Sequence, residues 1–245
     1  MRWARPARPV FCALRLGQLC GAVLAAALGC AALTWAVASR PGATPGQAGP
    51  LAGWRVAIDP GHGGEDSGAC HPASGLEEKA INLDLAFRLE RALEALGAEV
   101  VLTRREDVDV APQEAVQFAN EAGAGIYISL HVNSFPTPDC FGAQTFYNAQ
   151  SPESRRLARL IQEELVRLQP ENFREALPGD FYVLRHTRMP AALVEAGFIT
   201  HAQDRALLQD PAYLERAAGA IARALARYAG GEEAGAGGAP AQRPE

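Results

Sequence analysis

From Trp54 to Tyr228, short apolar runs rich in β-branched residues alternate with longer stripes of leucine and alanine at helical spacing. That alternation restricts the chain to an α/β architecture: a single domain whose mostly parallel mixed sheet is covered by helices on both faces. The spacing predicts strands at Trp54–Ile58, Ala98–Leu102, Ile126–Leu130, Gln144–Tyr147, Phe181–Leu184 and Ala191–Val194. It predicts a helix from Glu78, carrying Ile81, Leu85, Leu89, Leu93 and Leu96 and stopped at Gly97. Further helices are expected near Pro112–Ala122, at Pro152–Leu168 and at Ala212–Tyr228.

The two ends of the chain read differently. Arg2, Arg5, Arg8 and Arg15 precede an uncharged stretch from Gly17 to Ala38, about the 20 residues a bilayer requires. Residues 1–40 are therefore expected to be an export signal or anchor that leaves the rest of the chain outside the cytoplasm. Ala36-Val37-Ala38 fits a cleavage site, while the length of the apolar run favours an uncleaved membrane anchor. Residues 41–53 read as a linker, 54–229 as the domain, and the Gly/Ala/Pro-rich residues 230–245 as a disordered tail.

Charge and cysteine content exclude several function classes. The first 38 residues hold four of the 23 basic side chains and no acid, so the remainder carries 19 basic against 28 acidic groups, a net charge of −9. An acidic domain with a single lysine, Lys79, is a poor nucleic-acid binder. Beyond the apolar run only Cys70 and Cys140 remain, with no paired-cysteine zinc spacing. A Cys70–Cys140 disulfide and two unpaired thiols are both compatible with an exported chain.

Ligands in open α/β sheets gather beyond the carboxyl ends of the strands, and three polar residues stand there. AIDPGHGGEDSGA places His62 in a loop of glycines after the first strand. On its own it reads as a turn, and the absence of GxxxxGK[ST] argues against a phosphate loop. His131 directly ends the most apolar strand, with Asn133 following on the same side, and AALVEAGF puts Glu195 at the end of another. A carboxylate there needs a partner or a metal, and two histidines with converging carboxylates suggest zinc.

The ordered set IDPGHGGEDSGA, GLEEKAINL, VVLTRRED, ANEAGAGIYISLHVNS, GAQTFYN and DFYVLRHTRMPAALVEAGF resembles the zinc-dependent N-acetylmuramoyl-L-alanine amidases of bacterial cell-wall turnover. The resemblance implies zinc ligands at His62, Glu78 and His131 and a catalytic base at Glu195. Glu78 by itself reads as an acid favourable to a helix N-terminus. Only the Glu78-Lys79 match selects it over Glu77. His71 is a weaker competing ligand, and His186 and His201 read as surface or loop residues. Departures from the family pattern are Ala115 where arginine is common, His201 where asparagine is frequent, and a loop lengthened by Cys70-His71.

The implied reaction is hydrolysis of the amide between N-acetylmuramic acid and L-alanine in peptidoglycan. A zinc peptidase or carboxypeptidase acting on the stem peptide and a non-catalytic wall-binding domain are the alternatives. About 20 residues separate Asn133 from Ser154, too few for the helical insertion that blocks the site in some periplasmic relatives, so regulation, including any activating protein partner, has to come from elsewhere. The short GAQTFYN connection and the N-terminal anchor are most similar to germination-specific amidases of spore formers, which prepare cortex peptidoglycan for muramic-δ-lactam formation.

Overall fold

The computed structural model describes residues 49–235; the expected export segment at 1–40 lies outside them. Among the described residues no helix is long and apolar enough to cross a membrane. The strands are β1 (Arg55–Pro60), β2 (Cys70–His71), β3 (Leu76–Glu77), β4 (Glu99–Leu102), β5 (Ile126–Asn133), β6 (Gln144–Tyr147), β7 (Leu177–Pro178) and β8 (Ala191–Phe198). The helices are α1 (Glu78–Ala95), α2 (Pro112–Glu121), α3 (Pro152–Val166), α4 (Tyr182–His186), α5 (Ala202–Leu208) and α6 (Pro211–Ala229). Six strands form one sheet in the order β4-β1-β5-β8-β6-β7, and β2 and β3 form a small separate hairpin. β4, β1, β5 and β8 run parallel, and β6 pairs antiparallel with β8.

The alternation of the pleat decides what each face buries. Val56, Ile58, Ile126, Ile128, Leu130, Val132, Ala192 and Val194 pack into one core with the leucine stripes of α1, α3 and α6. Ala57, Tyr127, Ala191 and Leu193 face the other side, against Val116 and Ala119 of α2 and Val183 and Leu184 of α4. Being covered on both faces, β5 is apolar from Ile126 to Leu130 but for Ser129, whose hydroxyl is bonded to Asp59. Asp59 is buried on the second face and fully satisfied: it accepts from Thr103 (2.7 Å), Tyr127 (2.6 Å) and Ser129 (3.1 Å), tying β1, β5 and the residue after β4 together.

Two sequence expectations need correction, and one helix is added to them. Phe181–Leu184, expected as a strand, begins the short helix α4, which lays Val183 and Leu184 on the sheet. Ala202–Leu208, between the expected strand at Ala191–Val194 and the expected closing helix, is also helical; the Asp204 N–H donates to the His201 side chain at its cap. The stretch expected as linker through residue 53 already belongs to the domain at Leu51, which is fully buried and whose N–H donates to the Leu96 carbonyl at 3.0 Å. At the other end, Glu232 is tied back to Arg227 at 2.7 Å, so the first residues of the stretch expected as a tail belong with the domain.

Candidate metal centre

His62 sits just past the end of β1 in a backbone conformation that side chains rarely adopt. Its φ of +64° is the only positive value among the described non-glycine residues, and holding it there costs on the order of 1–2 kcal/mol. A bridge between Gly63 and Asp66 closes the loop. Nδ1 of His62 lies 2.6 Å from Asp66 Oδ2, and Nε2 lies 3.2 Å from Glu78 Oε1. The Glu78 bond outweighs burial and, with Asp66, pushes His62 up to about 9.

Glu78 opens α1 and is 4 % exposed. Its Oε2 accepts from the Ala69 N–H at 2.7 Å, and its Oε1 accepts from the Val132 N–H at 2.9 Å while lying 3.0 Å from His131 Nδ1. Burial works against the charge, but the bonds from His131, His62 and the Ala69 amide hold the carboxyl far below the usual range. Glu77 takes the cap position in extended backbone and exposes its carboxylate, 3.8 Å from Lys79. The start of the helix therefore separates the two neighbouring acids.

His131 rises from β5 beside a missing side chain: a Cβ on Gly61 would lie 2.1 Å from its ring. The two imidazoles meet edge to face, 5.0 Å between centroids. Burial opposes protonation of His131, but Glu78 and then Glu195 raise it above its ordinary value. One ligand atom each from His62, Glu78 and His131 lies within 4.8 Å of the others, so the structure brings together all three residues singled out as ligands.

Glu195 stands beside His131 because β5 and β8 place the two in register. The ladder slips immediately afterwards, where Asn133 pairs with Phe198 and Gly197 takes a φ of +154°, a bulge of the kind found beside active sites. Oε2 of Glu195 is buried without a hydrogen-bond partner. Burial pushes the carboxyl up to about 7, against the pull of His131. Two imidazoles and a carboxylate beside an unsatisfied carboxylate oxygen form a donor set suited to a divalent metal that keeps a position open for solvent.

The other histidines fall away from this centre. His71 bonds Ser74 at 2.8 Å on the β2–β3 hairpin, His186 stacks on Tyr182, and His201 stacks on Phe141 at the cap of α5. Cys70 and Cys140 are both unpaired. Sequence reasoning missed Asp66, whose signal was its i+4 spacing from His62, and Asn82, at the same spacing from Glu78. It also passed over Arg104, which is buried beneath the His62 loop.

The chain is similar to known proteins along most of its length. A family model described as N-acetylmuramoyl-L-alanine amidase (Amidase_3) matches residues 56–227. The germination-specific N-acetylmuramoyl-L-alanine amidase of Bacillus subtilis is 35% identical over 195 residues, covering 73% of this chain and 81% of the relative. The amidase LytC of the same organism is 40% identical over 174 residues, covering 70% of this chain and 35% of the longer relative. The CwlD amidase of Clostridioides difficile, solved in complex with the GerS lipoprotein, superposes with a TM-score of 0.68 at 32% identity, covering 73% of this chain and all of that one. With its motifs, its fold and its convergent His62, Glu78 and His131, the chain belongs to the Amidase_3 family of N-acetylmuramoyl-L-alanine amidases, which act on peptidoglycan.

Proposed function

We propose that His62, Glu78 and His131 hold zinc and that Glu195 is the general base for cleavage of the amide joining N-acetylmuramic acid to L-alanine. The observation that carries the reading is the partnerless Glu195 oxygen in register with His131. Held by this His2Glu set, zinc would supply Lewis-acid polarisation of the scissile carbonyl and would acidify a water beside it. Glu195 takes a proton from that water as the C–O bond forms, and passes it to the L-alanine nitrogen as the C–N bond breaks. Asp66 holds the His62 ring through Nδ1, which leaves Nε2 for the metal.

Family membership supports zinc as the metal, because zinc dependence is general in the family. Similarity to the germination-specific amidase supports a role in spore cortex, where cleavage prepares muramic acid for δ-lactam formation. The GerS complex of the CwlD amidase supports a protein partner for this chain as well. The arginine-flanked run at 17–38 supports attachment to the outer side of the cytoplasmic membrane. The test is mass spectrometry of muropeptides released by the zinc-loaded full chain. Intact stem peptides with a free L-alanine amine are expected. Shortened stem peptides still attached to muramic acid would establish a peptidase instead.

A further inference from the structure

The Gly61 peptide joins the three segments that carry the ligands. Its N–H donates to the Leu130 carbonyl at 3.0 Å, one residue before His131. Its carbonyl accepts from Asn82 Nδ2 at 3.1 Å and from Arg104 Nη2 at 3.3 Å. Asn82 sits one turn beyond Glu78 on α1, and its Nδ2 also lies 3.4 Å from Glu78 Oε1. Arg104 donates to Pro60 O at 2.8 Å, to Lys79 O at 2.9 Å and to Glu106 O at 3.0 Å. Three of its four carbonyl partners thus flank His62 and Glu78 in the chain.

Both residues are costly to bury. Arg104 is 3 % exposed and contacts carbonyls with no carboxylate among its hydrogen-bond partners, and burying an ion costs several kcal/mol before its bonds offset it. Asn82 is fully buried and leaves Oδ1 without a partner. Turning its amide over would satisfy nothing, since Oδ1 would then face two other acceptors, Gly61 O and Glu78 Oε1. The orphan oxygen is the consequence of aiming the amine at the ligand-bearing segments, and an apolar side chain would fill the position more cheaply.

We propose that Asn82 and Arg104 are positioning residues of the metal centre, holding the His62 loop and the Glu78 helix in register with His131 through the Gly61 carbonyl. The inference rests on the zinc reading above. It also separates two properties that a merely structural clamp would join: Asn82 costs the fold an unsatisfied oxygen while it sets the ligand geometry.

The experiment compares the full chain with Asn82→Ala and Arg104→Lys. Zinc affinity is measured by competition with a chromophoric chelator, metal-free Tm is measured on the same samples, and the visible spectrum is recorded after cobalt substitution. Asn82→Ala is expected to keep its metal-free Tm within a few degrees, to bind zinc about 10- to 100-fold more weakly, and to shift the cobalt bands. Arg104→Lys cannot reach the spread carbonyls from a single ammonium; where it folds, it should weaken zinc binding similarly, and where it does not, Asn82→Ala decides. An Asn82→Ala chain with unchanged zinc affinity and cobalt spectrum overturns the proposal, as does a loss of Tm with unchanged affinity. An unsubstituted chain that binds no zinc overturns the metal reading itself.

Discussion

Gly61→Ala adds a single methyl group at the most crowded point of the centre. Gly61 lies outside the left-handed region, so alanine is allowed by the backbone and the effect is one of space alone. The new Cβ would stand 2.1 Å from His131 Cε1, 2.4 Å from Nε2 and 2.7 Å from Nδ1. Reaching ordinary contact near 3.4 Å requires a retreat of at least ~1.3 Å. The ring cannot move that far and keep its 3.0 Å approach to Glu78. The strands cannot part either, because the Gly61 N–H is bonded to Leu130. Overpacking of this kind costs about 1–3 kcal/mol, or roughly 2–12 °C of Tm for a domain of this size. A ligand displaced by about 1 Å should lower kcat/KM by on the order of 100-fold and weaken zinc at least as much as loss of a supporting contact does. Gly75→Ala is the control: its φ is +65° and nothing lies within 4 Å, so strain appears there without crowding of the site. Thermal melts, chelator competition and muropeptide release measure the three effects. A Gly61→Ala chain that melts, binds zinc and turns over like wild type would show that His131 is not held where its ring now lies.

Glu195→Gln keeps the shape of the side chain and leaves the three ligands in place, so zinc should remain while kcat falls about 10²- to 10⁴-fold; normal turnover in a zinc-loaded Gln variant would assign the base elsewhere. In the metal-free chain, burial pushes Glu195 up to about 7 and Glu78 pushes His62 up to about 9. Both hold protons in the folded state that the unfolded chain has already released, so metal-free Tm should fall as pH rises from about 5 to 9. Zinc, which needs its ligands deprotonated, should restore progressively more stability over the same range; a metal-free Tm that rises through that window contradicts the assignment. Leu51→Ala, at a fully buried position, should cost about 2–5 kcal/mol, whereas a change in Tm below 1 °C would return residues up to 53 to the linker.

The elements legible in the sequence were those in which one force dominates. β5 is buried on both faces, so its apolar run could hardly have served elsewhere, although the strand continues past the interruption at His131 as far as Asn133. α1 announced itself through leucines at four-residue spacing and its stop at Gly97, whose φ is +92°. Phe181–Leu184 misled because four apolar residues are too few to show a period, and α4 is five residues long. Leu51 was hidden as an isolated apolar residue among glycine, alanine and proline. β7 is two exposed residues with no pattern to read.

The site divides in the same way, by the kind of group each residue contacts. His62, His131 and Glu195 stood out because a polar side chain at the end of an apolar strand needs a partner, and that need is visible in one dimension. The choice of Glu78 over Glu77 depended on where α1 begins, since the cap residue points outward and the next residue points in. Asn82 and Arg104 left no such trace, because their partners include the carbonyls of Gly61, Pro60 and Lys79, and every residue carries a carbonyl. A side chain that recognises backbone leaves its partner's identity unconstrained unless room is needed as well. At Gly61 room is needed, for the ring of His131. The glycine between Pro60 and His62, with the four-residue step from Glu78 to Asn82, is therefore what the sequence shows of a junction in which two side chains meet main-chain carbonyls.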